Sequence, residues 1–267
     1  MSIGQQLRSG LRGAALLAAM LVGLTAVAGA AEPAKRTVST EARAAVEKMG
    51  KTLLAEQFSF TVRTLRVYAD DNRQPLHIGH TMKVTLRRPD RLRVDVTGDD
   101  GATQLLYDGK STVLFSPAAN KYATIPAPDT VEAMMKTVVG KLGVDFPLAD
   151  FLTNTPEKSF LFGVTSGREI NTVTIDGTPC LHLVFDQPGV QLELWIEKNE
   201  RAVPRRLIAT YHSLPDRPNF VAEFSGWNFD TRPADADFAF QPPAGATPIE
   251  LKPANRAAPN RQGGISR

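Results

Sequence analysis

Residues 180–211 read CLHLVFDQPGVQLELWIEKNERAVPRRLIATY, and their pattern decides the fold. Leu181–Phe185 and Gln191–Glu197 are predicted strands joined across Asp186-Gln187-Pro188-Gly189, and Lys198-Asn199-Glu200 turns the chain into a third strand, Arg205–Tyr211. Alternation sets the faces: Leu181, Leu183 and Phe185 fall on one side, His182, Val184 and Asp186 on the other. Leu192, Leu194 and Ile196 likewise oppose Gln191, Glu193, Trp195 and Glu197. An antiparallel sheet with one apolar and one wet face must bury the apolar one, so helices or a ligand are needed to cover it.

Upstream, Ser39 or Thr40 is placed to cap a helix in which Ala42, Ala45, Val46, Met49 and Leu53 form one apolar stripe ending near Ala55. The period then changes to two. Phe58, Phe60, Val62 and Thr64 share a face, and a turn is expected at Asp70-Asp71-Asn72. Further strands are predicted at 80–86, 91–97, 103–107, 111–115 and 121–125. Pro126 and Pro128 end this meander, and Asp129 or Thr130 opens a helix whose apolar face is Met134, Met135, Val138, Val139 and Leu142. A helical turn is expected within 147–152, strands at 160–164, 168–175 and 219–229, and a last extended segment at 238–243. The fold is expected to hold about ten or eleven antiparallel strands with an N-terminal and a central helix.

The chain has 267 residues, 42% of them hydrophobic and 22% charged, which suits one large domain. Arg8 and Arg12 precede an apolar run, Ala14–Ala28, that closes in Ala28-Gly29-Ala30, the small-residue pattern of a signal-peptidase site. That run falls short of the roughly twenty residues a membrane-spanning helix needs. The expected organisation is a cleaved signal peptide at 1–30, a linker at 31–39, the domain at 40–251 and a disordered tail at 252–267, with the mature protein soluble in the periplasm. Export and the lack of a basic, aromatic-laced stripe argue against a nucleic-acid partner. The single Cys180 precludes an internal disulfide and reads as a small buried hydrophobe.

Local motifs for chemistry are missing. The four histidines, His77, His80, His182 and His212, lack metal-ligand spacing, and the pairs Asp70-Asp71 and Asp99-Asp100 fall in turns. There is no nucleophile elbow, phosphate-cradling loop or His-Glu-x-x-His. A non-enzyme without cofactor or metal is expected.

FSFTVRTLRVY (58–68), YDGKSTVLFSPAANKYATIP (107–126), LELWIEKNERAVPRRLIATY (192–211) and FAFQPPAGA (238–246) together resemble the LolA/LolB-like periplasmic proteins, and within them a family of predicted periplasmic proteins of unknown function. The resemblance spans about residues 40–250. It implies a mainly β (α+β) fold, a curved antiparallel half-barrel covered on its concave face by the two helices and enclosing an apolar cavity. It also implies that a lipid, a lipoprotein acyl chain or another hydrophobic small molecule binds there, with an envelope lipoprotein or membrane protein as possible partner and the chain itself a monomer. Phe60, Val62, Leu183, Phe185, Leu194 and Ile196 from the strands, with Met134, Met135, Val138 and Leu142 from a helical lid, are the expected ligand contacts. No lipoprotein-binding arginine of the carriers matches a position here. The competing expectation is an envelope interaction module whose core is filled, acting through its surface, for which the exposure of Trp195 and Trp227 would be diagnostic.

Overall fold

The computed structural model of the protein describes residues 37–69, 72–142, 146 and 148–251. Helix α1 (Thr40–Leu53) starts where the capping signal stands: the Ser39 hydroxyl accepts the Ala42 N–H at 3.2 Å. Strands β1 (Gln57–Ala69), β2 (Pro75–Arg87), β3 (Arg91–Gly98), β4 (Gly101–Tyr107), β5 (Ser111–Ser116) and β6 (Lys121–Pro126) follow as a meander. Helix α2 (Val131–Leu142), a 3-10 turn (Ala149–Phe151) and helix α3 (Pro156–Leu161) then cross the sheet. A second meander comprises β7 (Ser166–Ile175), β8 (Thr178–Gln187), β9 (Val190–Glu197), β10 (Pro204–Tyr211) and β11 (Asn219–Asn228), and β12 (Thr247–Pro248) closes the described chain.

All twelve strands form one open, curved sheet in the order β12-β6-β5-β4-β3-β2-β1-β11-β10-β9-β8-β7. The two meanders meet at β1 and β11, which pair antiparallel from Ser59–Asn228 to Arg66–Phe220. The register in the second half is the one alternation demands, since Leu183, Leu194 and Leu207 stand side by side across β8, β9 and β10. These three belong to one buried cluster with Phe58, Val84 and Phe224 of the sheet and with Val46, Met49 and Leu53 of α1.

Three expectations change. The sheet has twelve strands, not ten or eleven, because Thr247–Pro248 adds a short parallel strand on β6. Residues 160–164 are not a strand: Pro156 stands in the first turn of α3, where its missing N–H costs nothing, and Phe160 turns into the core. Of the last extended segment expected at 238–243, Phe238 instead ends a 3-10 turn: the Asp237 carboxylate accepts the Ala234 N–H and winds Asp235–Phe238, and the backbone is extended again at Ala239. Within the expected linker, Val38 bridges Gly167, the Ser39 N–H donating to the Gly167 carbonyl at 2.8 Å. The signal peptide, the turn residues Asp70 and Asp71, and the tail after Leu251 lie outside the described residues.

The outer face of the sheet is partly covered as well. Arg87 and Arg93 sit next to core residues Leu86 and Leu92 and so point to the opposite face. There Arg87 donates to the Pro233 carbonyl and lies over the ring of Phe238, which is fully buried, while Arg93 donates to the Asp237 carbonyl. The segment leaving β11 thus returns as a strap over the back of β2 and β3. Phe240 continues it, 5.2 Å from the ring of Phe115 and 5.1 Å from that of Tyr122.

Candidate functional site

Nine of the ten expected contact residues converge. Phe60, Val62, Leu183, Phe185, Leu194 and Ile196 of the sheet and Met134, Met135 and Val138 of α2 share one cluster, none more than 5% exposed. The tenth, Leu142, closes α2, and its side chain lies outside the described residues. The alternation of β1, β8 and β9 and the three- and four-residue spacing of α2 put these side chains on facing surfaces. In this conformation they pack against one another and against the helices.

What the sequence did not single out is how the helical cover is fastened. Arg88 and Pro89, in the β2–β3 turn, hold three of the four helical segments of that cover: α1, α2 and the 3-10 turn. The Arg88 guanidinium donates from Nη2 to the Leu53 carbonyl in the last turn of α1 (3.0 Å). From Nη1 it donates to the Leu152 carbonyl, at the end of the 3-10 turn (3.1 Å), and to Asn154 Oδ1 (2.8 Å). The Pro89 carbonyl accepts the N–H of Val131, the first residue of α2, at 2.8 Å. Carbonyls at helix ends lack intrahelical partners and carry partial negative charge, so a cation is a suitable tie.

Arg88 is an unusual cation. No carboxylate of the described residues forms an ion pair with it, and its Nε is buried with no hydrogen-bond partner. Burial lowers its pKa to about 10, against a weaker opposing pull from Glu132. Glu132 is itself engaged, accepting from Lys136 Nζ at 2.9 Å and from the Asn154 N–H at 3.3 Å. In the sequence Arg88 is one of four polar or proline residues in a turn, and nothing local separates it from its neighbours.

The cover is also close-fitting between helices. A Cβ added at Gly50 of α1 would stand 2.9 Å from the Glu157 Cβ and 3.2 Å from its backbone nitrogen, so α3 rests directly on the α1 backbone. Beside α1, a surface cleft of about 190 Å³ runs between Ala45, Lys48 and the β9–β10 turn and reaches Leu181 and Ile196. On the outer face, Trp195 is 7% exposed; it stacks on His182 at 4.1 Å and lies under Arg206, and His182 Nε2 contacts Glu193 Oε2 at 2.8 Å. Trp227 stacks on Phe60 at 4.3 Å and donates to the Pro204 carbonyl. Neither tryptophan stands free as an exposed anchor. Cys180 is fully buried, as its small apolar character suggests.

Among the described residues, no group of three or more His, Cys, Asp or Glu is gathered as a metal site would need, and no helix is long and apolar enough to cross a membrane.

The profile of a family described as "Predicted periplasmic protein (DUF2092)" matches residues 42–252. No curated protein matches the chain. Similar solved structures include an uncharacterised conserved protein from Thermus thermophilus, at 13% identity and a TM-score of 0.47 over 78% of this chain and 98% of that one. The Mycobacterium tuberculosis lipoprotein LppX is 15% identical, with a TM-score of 0.43 over 73% of this chain and 99% of its own. A LolA superfamily protein from Nitrosomonas europaea is 12% identical, with a TM-score of 0.35 over 73% and 97%.

Proposed function

This chain belongs to the DUF2092 family of predicted periplasmic proteins, and from that premise we propose that it is a non-catalytic periplasmic binding or carrier protein, monomeric, for a lipid, a lipoprotein acyl chain or another hydrophobic ligand. The ligand lies between sheet and helices, against Phe60, Val62, Met134, Met135, Val138, Leu142, Leu183, Phe185, Leu194 and Ile196. The observation that carries this reading is the fastening of the cover: three helical segments over an apolar sheet face are held from one turn, where a single guanidinium reaches main-chain carbonyls and a side-chain amide. Such a tie is polar and exchangeable, whereas the surface beneath it is apolar.

Lifting the cover exposes apolar side chains, and an acyl chain in their place restores burial at roughly 0.8 kcal/mol per methylene. Two methionines on the inner face of α2 supply side chains that adapt to an irregular partner. The cleft beside α1 offers an approach to Leu181 and Ile196.

A second reading has its own observation. The nine described contact residues are at most 5% exposed, which favours a filled-core envelope module that works through its surface on other proteins. Gentle purification of the mature protein, native mass spectrometry and lipid analysis separate the two. A stoichiometric lipid is the expected result. An empty protein that also fails to take up an environment-sensitive fluorescent fatty acid would overturn the carrier reading and leave the filled-core module.

A further inference from the structure

We propose that the ligand of this site is an acyl chain ending in an anionic oxygen group, a carboxylate or a phosphate, and that Arg88 receives that group when the helical cover lifts. The inference rests on the binding reading above and adds the chemistry of the ligand's head. Three features of Arg88 point to it.

The first is charge. A partly buried guanidinium without an ion-paired carboxylate is an incompletely compensated cation, and such a group gains most from an anion brought to it. Glu132, the nearby acid that acts on it through space, has its oxygens occupied by Lys136 and the Asn154 N–H.

The second is an open valence. Arg88 Nε is buried and has no acceptor, whereas both Nη atoms are engaged. An anionic head arriving beside the side chain satisfies Nε at once. It then competes for the Nη donors as a charged, bidentate acceptor, and neutral carbonyls are weaker partners in that contest.

The third is position. The groups that would be displaced are the Leu53 and Leu152 carbonyls, which hold α1 and the 3-10 turn against the sheet. Replacing them with the ligand head would release the cover at the moment the chain needs access to the apolar face beneath. A neutral head of equal chain length offers Arg88 no charge and gives a poorer exchange for those carbonyls.

The test compares ligands of one chain length on the full mature protein. Palmitate and hexadecyl phosphate are the acidic probes; hexadecanol and methyl palmitate are the neutral ones. Dissociation constants come from competition with an environment-sensitive fluorescent fatty acid, checked by native mass spectrometry. The expected result is that at least one acidic probe binds tenfold or more tightly than both neutral ones, the preferred acid identifying carboxylate or phosphate. Arg88→Gln brings the ratio to within about twofold, and Arg88→Lys, which keeps the charge but has neither the Nε donor nor the fork, retains only part of it, with far-UV circular dichroism verifying that each variant is folded.

Equal binding of acidic and neutral probes by the unaltered protein overturns this inference and leaves the binding function standing. An undiminished preference in folded Arg88→Gln removes Arg88 from the role. Failure of all four probes to bind refutes the function itself, and this inference with it.

Discussion

Gly50→Ala tests whether α3 is seated on α1 as the geometry requires, because two effects of opposite sign meet at that position. In a free helix, alanine is better than glycine by about 1 kcal/mol. Here the new methyl group would lie 2.9 Å from the Glu157 Cβ, 3.2 Å from its nitrogen and 3.4 Å from its Cα, all of them atoms fixed to the α3 backbone. Carbon atoms in contact prefer about 3.5–4.0 Å, so α3 must retreat by roughly 0.6–1 Å. Overpacking of this kind costs about 1–3 kcal/mol, which outweighs the helix gain and leaves a net loss of about 1 kcal/mol. For a domain of this size that is about 2–4 °C in Tm. Urea denaturation of Gly50→Ala, Glu157→Gly and the double variant gives the interaction directly: removing the Glu157 Cβ relieves the closest of the three contacts, so the two changes are coupled by about 1 kcal/mol. The loosened cover should also bind an apolar dye faster. A Gly50→Ala protein more stable than the original, with no coupling to Glu157→Gly, would refute the contact.

Three further outcomes follow from the burial and the hydrogen bonds. Phe238→Ala removes the fully buried ring that anchors the strap on the outer face and should cost about 3 kcal/mol, read by denaturation, with trypsin cutting faster at Arg232. Met135→Asp places an unpaired carboxylate on the inner face of α2 and is expected to abolish retention of a co-purified lipid while the strand signal in circular dichroism persists; equal loss of both would make Met135 plain core. Tyr107 donates to the Pro128 carbonyl, and burial pushes its pKa up to about 12. A phenol with a folded pKa above its unfolded value near 10 contributes fully below pH 10 and loses that contribution as the pH rises toward 12, so Tyr107→Phe should flatten the stability profile across this interval.

The strands were legible because their cause is local. Leu181, Leu183 and Phe185 alternate with His182, Val184 and Asp186, and a period of two has one structural meaning when turn residues bound it. The α1 cap and the apolar stripe of α2 were readable for the same reason. Residues 160–164 misled because Phe160-Leu161-Phe162 has no polar alternation, and such short apolar runs fit either helix or strand. The apolar residues that share the buried face of sheet and helix could be listed from alternation and helical spacing alone. Arg88 could not, since its role depends on carbonyls at Leu53 and Leu152, 35 and 64 residues away along the chain, and no pattern around an Arg-Arg-Pro-Asp turn encodes distant helix ends. The pairing of β1 with β11 was hidden for the same reason.

That pairing also orders the events of folding. Within each meander a strand finds its neighbour across a turn of a few residues, and closing such a loop costs about 1 kcal/mol of chain entropy. The Thr61–Ser225 contact joins residues 164 apart, which raises the corresponding figure to about 4.5 kcal/mol before any apolar surface is buried in return. The two half-sheets therefore form early and the junction late, and until it closes β1 and β11 are bare edges open to wrong partners. A newly made chain is at its most vulnerable to aggregation in that interval, when two ordered halves await each other.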